Sequence, residues 1–78
     1  MNKKEVAAYV RERVEDFETR LQFTLKRMDE MRCPFWMVDG GRLFDEIVSA
    51  IEEWCDDNDV LLENEEWDEI IDEIIWGD

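Results

Sequence analysis

The residues of this chain that could do chemistry are carboxylates, and they are concentrated in the C-terminal half. Residues 39–78 contain sixteen Asp and Glu against Arg42 alone, whereas the first 38 residues contain seven acids and eight bases. The net charge of the 78 residues is −14, and the chain has no His, the commonest general base and metal ligand. Three kinds of carboxylate site therefore need to be considered: an acid-base pair, a cation site and a polyanionic surface.

An acid-base pair requires two carboxyl groups in unlike environments, one of them removed from water. The Asp and Glu residues of this chain fall on the polar faces of amphipathic segments, where both members of any pair would be solvated. We therefore expect the protein not to be an enzyme and to need no cofactor.

A calcium site is suggested by the oxygen-rich run Asp56-Asp57-Asn58-Asp59. An EF-hand loop needs ligands at positions 1, 3 and 5, Gly at position 6 and Glu at position 12. Starting at Asp56 or at Asp57, the fifth position is apolar and the glycine is missing. Cys33 and Cys55 lack the short spacing of a metal knuckle or redox motif. The sequence thus predicts no metal site and two free thiols.

A polyanionic surface fits the pattern best. Thirteen acids lie between Glu52 and Asp78 with no intervening Lys or Arg, an arrangement that weakens the fold through like-charge repulsion. Solubility alone does not require confining the charge to one half of the chain, although many acidic runs are only solvated faces. The predicted partner-binding residues are Glu52, Glu53, Asp56, Asp57, Asp59, Glu65, Glu66, Glu69, Asp72, Glu73 and Trp76.

The N-terminal element that must support this surface is predicted to be one long amphipathic helix over residues 3–32. Its apolar positions recur at steps of three and four and fall within about 100° of the helix circumference. They are Val6, Val10, Val14, Phe17, Leu21, Thr24, Leu25 and Met28. Phe23 lies off this stripe, which predicts either contact with a loop or second subunit or simple exposure.

Pro34 ends the first helix, because it restricts Cys33 and lacks a backbone donor. The turn signal Asp39-Gly40-Gly41 then leads into a second helix over residues 42–56, whose apolar positions cover about 140°. The alternative is a β-hairpin over residues 35–44, closing through the same turn.

The last helix is predicted over residues 65–76, with Asn64 as N-cap and Val60-Leu61-Leu62 as a short apolar anchor before it. Trp67 and four isoleucines share its apolar face. Trp76 projects about 180° away from Trp67, into the acidic side. Either Trp76 belongs to a frayed terminus or folds back onto the core, or it is an exposed aromatic anchor of the kind enriched at binding hot spots.

Together these elements predict an all-α fold, a small three-helix bundle forming a single domain over residues 1–78. A helix over residues 3–32 is about 45 Å long, more than the two shorter helices can cover. Part of its stripe must then contact another subunit, or the helix must bend.

The charge also limits the partners. A strongly negative protein repels nucleic acid and anionic membranes but attracts basic protein surfaces. No apolar run approaches the length of a membrane span, and no basic-then-apolar leader is present, so we expect a cytoplasmic protein. Carboxylates at successive turns of two helices make an array comparable to the DNA backbone, with its charge about every 1.7 Å. The expected partner is therefore the basic surface of a nucleic-acid-binding protein, with no direct binding to nucleic acid or membrane.

In size, acidity, lack of His and helical patterning, the whole chain resembles small inhibitors encoded by phages and mobile elements, among them anti-CRISPR proteins and anti-restriction DNA mimics. The resemblance is compositional, and those inhibitors have unrelated folds, so it assigns no residue a role. It implies action in a host bacterial cytoplasm against a nucleic-acid-handling defence complex.

The alternative function is a helical protein-protein interaction module or homodimer. In this hypothesis the partner is recognised by the apolar stripe of the first helix and by Trp36 or Phe23, and the acidic half is only a solvated face.

Overall fold

The computed structural model describes residues 2–77 as an all-helical fold of 38 × 24 × 23 Å. Its four α-helices are α1 (Lys3–Arg13), α2 (Phe17–Met31), α3 (Arg42–Asn58) and α4 (Asn64–Trp76), with a 3₁₀ segment (Phe35–Gly41) between α2 and α3. The described part of the chain contains no β-strand. None of its helices combines the length and apolar character needed to cross a membrane.

The prediction of one continuous helix over residues 3–32 is wrong, because the chain breaks between α1 and α2. Val14 is extended (φ −87°, ψ 120°), and Asp16 adopts the left-handed conformation (φ 53°, ψ 37°) that Asp tolerates better than most residues. An unbroken helix of about 45 Å would exceed the 38 Å long axis of the molecule. The break lets both halves bury their apolar positions within one chain.

The segment between α2 and α3 confirms the preference for a connector leading into a helix over the hairpin. Within the 3₁₀ segment the backbone kinks, and three successive residues, Asp39, Gly40 and Gly41, have φ between 50° and 76°. Gly41 is required by space as well as by conformation, since a Cβ there would lie 2.5 Å from the carbonyl oxygen of Trp36.

The two C-terminal helices lie close to their predicted bounds. α3 continues two residues further than predicted, through Asn58, whose side-chain amide donates to the Trp54 carbonyl at 2.8 Å. The N-cap of α4 is Glu63 rather than Asn64, and the Glu66 carboxylate accepts the Glu63 backbone N–H at 3.2 Å. This contact belongs to the capping-box arrangement that fixes a helix start.

The core draws on every helix and on the 3₁₀ segment. α1 is the central element, since it packs against both α3 and α4, while the 3₁₀ segment packs against α2 and α3. The predicted stripes are largely confirmed, but Ala7, Phe35, Val38 and Ala50 are also buried. The largest fully enclosed side chains are Val6, Val10, Val38, Ile47, Ile51, Ile70 and Ile74.

Candidate functional site

The outer side of α4 carries a strip of acids with an aromatic residue at its end. At 100° per residue, Glu65, Glu69, Asp72 and Trp76 fall within about 60° of one another. All four are exposed, and Trp76 is 60% exposed, so it does not fold back onto the core. Glu66 and Glu73 flank this strip and are half-buried.

The predicted acids of α3 divide between two sides of their helix. Glu52 and Asp56 lie within about 40° of each other, whereas Glu53 and Asp57 are rotated by about 100° from them. The helix ends before Asp59, which adopts a left-handed conformation (φ 55°) at its C-terminus. The structure therefore does not place all five acids on one face.

Glu53 faces α1 and is the predicted site residue that an opposite charge neutralises. Its carboxylate accepts from Arg13, with Nη2 at 3.0 Å from Oε1 and Nε at 3.1 Å from Oε2, and this contact raises the pKa of Arg13. The pKa of Tyr9 is also raised, first by desolvation and then by Glu53, with a smaller contribution from Asp57. Glu53 thus joins α3 to α1, and we place it outside the partner-binding set.

Cys55 of α3 experiences the charges of acids from both α3 and α4. Burial raises the pKa of the Cys55 thiol, and the charges of Asp56, Glu52 and, from α4, Glu66 raise it further. A carboxylate on α4 is therefore within electrostatic range of the last turns of α3. Glu52 and Asp56 of α3 and Glu66 of α4 are thus three predicted site acids whose charges act on the same side chain.

We use the term acidic surface for the predicted acids without Glu53, together with Trp76; its members on α3 and at the end of that helix lie on more than one side. Among residues 2–77, the ion pairs involve Glu18, Asp39, Glu46 and Glu53, and no member of the acidic surface. Its members are Glu52, Asp56, Asp57, Asp59, Glu65, Glu66, Glu69, Asp72, Glu73 and Trp76.

Arg11 of α1 holds the C-terminal end of the acidic helix. Its Nη2 donates to the carbonyl oxygens of Glu73 at 3.4 Å and Ile74 at 3.3 Å. α4 has no basic residue in its own last turn, so Arg11 supplies the cation that a helix C-terminus favours. The Nε of Arg11 is buried without a hydrogen-bond partner and lies 3.9 Å from Glu18 Oε1.

A groove of about 570 Å³ lies away from the acidic surface, between α2, the end of the 3₁₀ segment and the start of α3. An ion pair between Arg20 and Glu46 lines it, and hydrogen bonding from Arg20 holds the pKa of Glu46 below its ordinary value. Phe23 and Arg42 lie on its walls. Its paired charges serve to join α2 to α3.

The cation chemistry considered for the acidic run has a limited structural basis. Within residues 2–77, no group of three or more Cys, Asp or Glu side chains converges in a way that could hold a metal ion. Cys33 and Cys55 are free thiols, as predicted, with Cys55 buried and Cys33 half-buried.

Sequence reasoning missed the residues that position the site, Arg11 and Arg13. In a continuous helix over residues 3–32, both side chains would lie outside the apolar stripe and face solvent. The break after Arg13 makes α1 the central helix and turns these side chains toward α4 and α3. One signal could have identified Arg11 and Arg13. The two C-terminal helices lack basic residues in their last turns, so nearby arginines of another helix are suited to supply the positive charge.

Comparison of the chain with known proteins gave no match to a family model, to a curated protein sequence or to a solved structure.

Proposed function

We propose that this protein is a non-enzymatic inhibitor that presents its acidic surface to the basic channel of a nucleic-acid-binding complex. The observation that carries the proposal is the set of unpaired carboxylates on ordered helices: residues 42–77 contain fourteen acids and one Arg, and the acidic surface itself contains no ion pair among the described residues. Such an array costs stability through repulsion, which binding to a basic partner would relieve.

The charge density of α4 is close to that of DNA. Six carboxylates lie between Glu65 and Glu73, a rise of about 12 Å at 1.5 Å per residue, or one charge per ~2 Å. Duplex DNA carries one charge per about 1.7 Å of axis. A groove lined with Lys and Arg would release its counterions on meeting this helix as it does on meeting DNA, and occupation of the groove would exclude the nucleic acid.

Trp76 adds an apolar contact to this surface. It lies on the same side of α4 as Glu65, Glu69 and Asp72 and is mostly exposed. Large aromatic residues supply much of the affinity at protein interfaces. Charge then steers the approach to the basic groove, and the indole contributes a contact that salt does not screen.

The target class follows from the compositional resemblance to phage-encoded inhibitors. A CRISPR or restriction complex in a host bacterial cytoplasm is the first class to test, because such complexes hold nucleic acid in channels rich in Lys and Arg. The alternative interaction module loses one of its two proposed surfaces, since the apolar stripe of the N-terminal region is buried within this chain from Val6 to Thr24.

The test is a pull-down from bacterial lysate with the tagged protein, washed at about 0.1 M and then about 0.5 M salt, which shortens the electrostatic range severalfold. The proposal predicts capture of a nucleic-acid-binding complex that is released at high salt and displaced by added DNA or RNA. A partner that stays bound in the high-salt wash and is not displaced by nucleic acid would contradict the proposal. A Trp76→Ala variant should capture the same complex more weakly, with unchanged sensitivity to salt.

A further inference from the structure

A second surface of the molecule is apolar, and neither the fold nor the proposed function uses it. Phe23 and Met31 on α2, and Trp36 and Met37 on the 3₁₀ segment, each expose at least half of their side-chain surface. The two elements pack against each other, so the four residues lie on adjoining parts of the fold. We call these four residues the α2 patch.

Arg27 fixes the arrangement of this patch. Residues 23, 27 and 31 lie one turn apart on the same side of α2. The guanidinium carbon of Arg27 lies 5.7 Å from the centre of the Phe23 ring, and its Nη2 lies 3.4 Å from Met31 Sδ. Its Nε donates to Asp39 Oδ1 at 3.2 Å and so ties α2 to the 3₁₀ segment. Two of the exposed apolar side chains, Phe23 and Met31, therefore contact the arginine of an ordered ion pair.

The charge around the patch differs from that of the rest of the molecule. Residues 17–41 carry four acids and four bases and are neutral, whereas residues 42–77 carry fourteen acids and one base. A second copy approaching through the acidic half meets a strong like charge, which is costly at close range. Through the α2 patch it meets a neutral surface.

A neutral surface that carries both signs of charge is suited to a two-fold interface. In such an interface the same patch is used by both copies, so each cation can face an anion of the other copy. Arg27 and Asp39 supply one charge of each sign beside the apolar side chains. Arg27 and Asp39 compensate each other within one copy, so a second copy brings no unpaired charge to the patch, whereas a strongly basic or acidic partner would.

The exposed area is large enough to form the centre of a dimer interface. Fully exposed side chains of this size present roughly 150–250 Å² each, so the four expose on the order of 450 Å² together. A standard interface buries about 800 Å² per partner, with an apolar centre and a polar rim. The patch supplies the centre, and the neighbouring charged residues of α2 supply the rim.

We propose that the α2 patch is the interface of a two-fold homodimer of this chain. The dimer places the acidic surfaces of the two copies away from the interface, which limits their mutual repulsion. This inference goes beyond the proposed function and does not rest on it, because self-association is measured without any target. A dimer of a protein with the proposed inhibitory function would carry two acidic surfaces.

The experiment is sedimentation equilibrium of the purified protein from low micromolar to high micromolar concentration, for the wild type and two matched variants. Trp36→Glu places a charge in the patch, and Trp76→Glu makes the same change at a tryptophan of equal exposure, 60%, outside it. We expect a monomer-dimer equilibrium that Trp36→Glu weakens at least about tenfold, as loss of a central aromatic contact does. Trp76→Glu should leave it within about twofold of the wild type.

A wild type that stays monomeric over the whole range would overturn the proposal, whatever the variants do. So would a dimer that tolerates Trp36→Glu and Phe23→Glu, or one that Trp76→Glu weakens equally. Both tryptophans are exposed, so helical circular dichroism should be retained. If Trp36→Glu loses its helical signal, Phe23→Glu supplies the comparison. Addition of salt should strengthen the dimer slightly, because it screens the remaining repulsion.

Discussion

Replacing Arg11 with Met should loosen the acidic helix more than any other exchange of a single surface arginine. Arg11 donates to the carbonyls of Glu73 and Ile74 and supplies the positive charge at the C-terminus of α4. Met keeps most of the apolar stem and the helix propensity of α1, so the variant removes the charge and the two hydrogen bonds.

The size of the effect follows from these contacts. A hydrogen bond that involves a charged group contributes about 1.5–3 kcal/mol, and the long distances of 3.3 and 3.4 Å place this pair at the lower end. The interaction with the helix dipole adds about 0.3–1 kcal/mol. Arg11→Met also removes the Nε group, which is buried without a hydrogen-bond partner, and this gain offsets part of the lost stability. We expect a loss of about 1.5–2 kcal/mol, or roughly 8–12 °C in Tm for a domain of this size.

The assay is urea and thermal unfolding followed by circular dichroism, together with amide hydrogen exchange of α4. Arg13→Met is the matched control, because it removes the same charge from the same helix while breaking a solvent-exposed pair with Glu53, which contributes little. Arg11→Met should cost clearly more, and exchange should accelerate in the last turn of α4. Equal losses in the two variants, or unchanged exchange in α4, would refute the role assigned to Arg11.

Three further outcomes are expected from the fold. Gly41→Ala should destabilise the fold more than Gly40→Ala. Both residues have positive φ, which costs a side chain about 1 kcal/mol, but only the Cβ at position 41 would meet the Trp36 carbonyl. Equal urea midpoints for the two variants would contradict this. Glu46→Gln should destabilise most at neutral pH and progressively less in acid, since the lowered pKa of Glu46 stabilises the fold above its ordinary value of 4.5 and that contribution is lost as pH falls through the folded-state pKa. Unfolding of the variant and the wild type over a pH series measures the difference, and a loss that does not shrink as pH falls below 4.5 would exclude the charged pair with Arg20 as its cause. Raising NaCl from about 0.01 M to 0.5 M should raise Tm, because salt screens the repulsion within a chain of net charge −14; a falling Tm would mean that the ion pairs outweigh the repulsion.

The sequence predicted which side chains are buried better than it predicted how the chain is divided into helices. The stripe from Val6 to Thr24 is buried as expected, although the helix carrying it is broken. Periodicity could not locate the break, because Val14 and Phe17 stay on the core side across it. The low helix propensities of Val14 and Asp16, and the excess length of a 30-residue helix, were the available signals.

The candidate site was predictable where it depends on a single helix and not where it depends on packing between helices. The phase of α4 correctly placed Trp76 on the side of Glu65, Glu69 and Asp72. The pairing of Glu53 with Arg13 could not be read from the sequence, because it depends on α1 lying beside α3. Similarly, of the predicted apolar anchor only Val60 and Leu62 pack against the core, whereas Leu61 is 95% exposed.

The central claim is that the carboxylates of the acidic surface, and not the overall charge, bind the target. A triple variant with Lys at Glu65, Glu69 and Asp72 changes three exposed members of that surface, and a control with Lys at Glu5, Glu12 and Glu30 makes the same change in net charge at exposed acids outside it. The most direct test is capture and inhibition of the lysate complex by the two variants, with helical content checked by circular dichroism. The first variant should lose both activities, and the control should retain them. Full inhibition by the first variant, or equal loss in both, would contradict it.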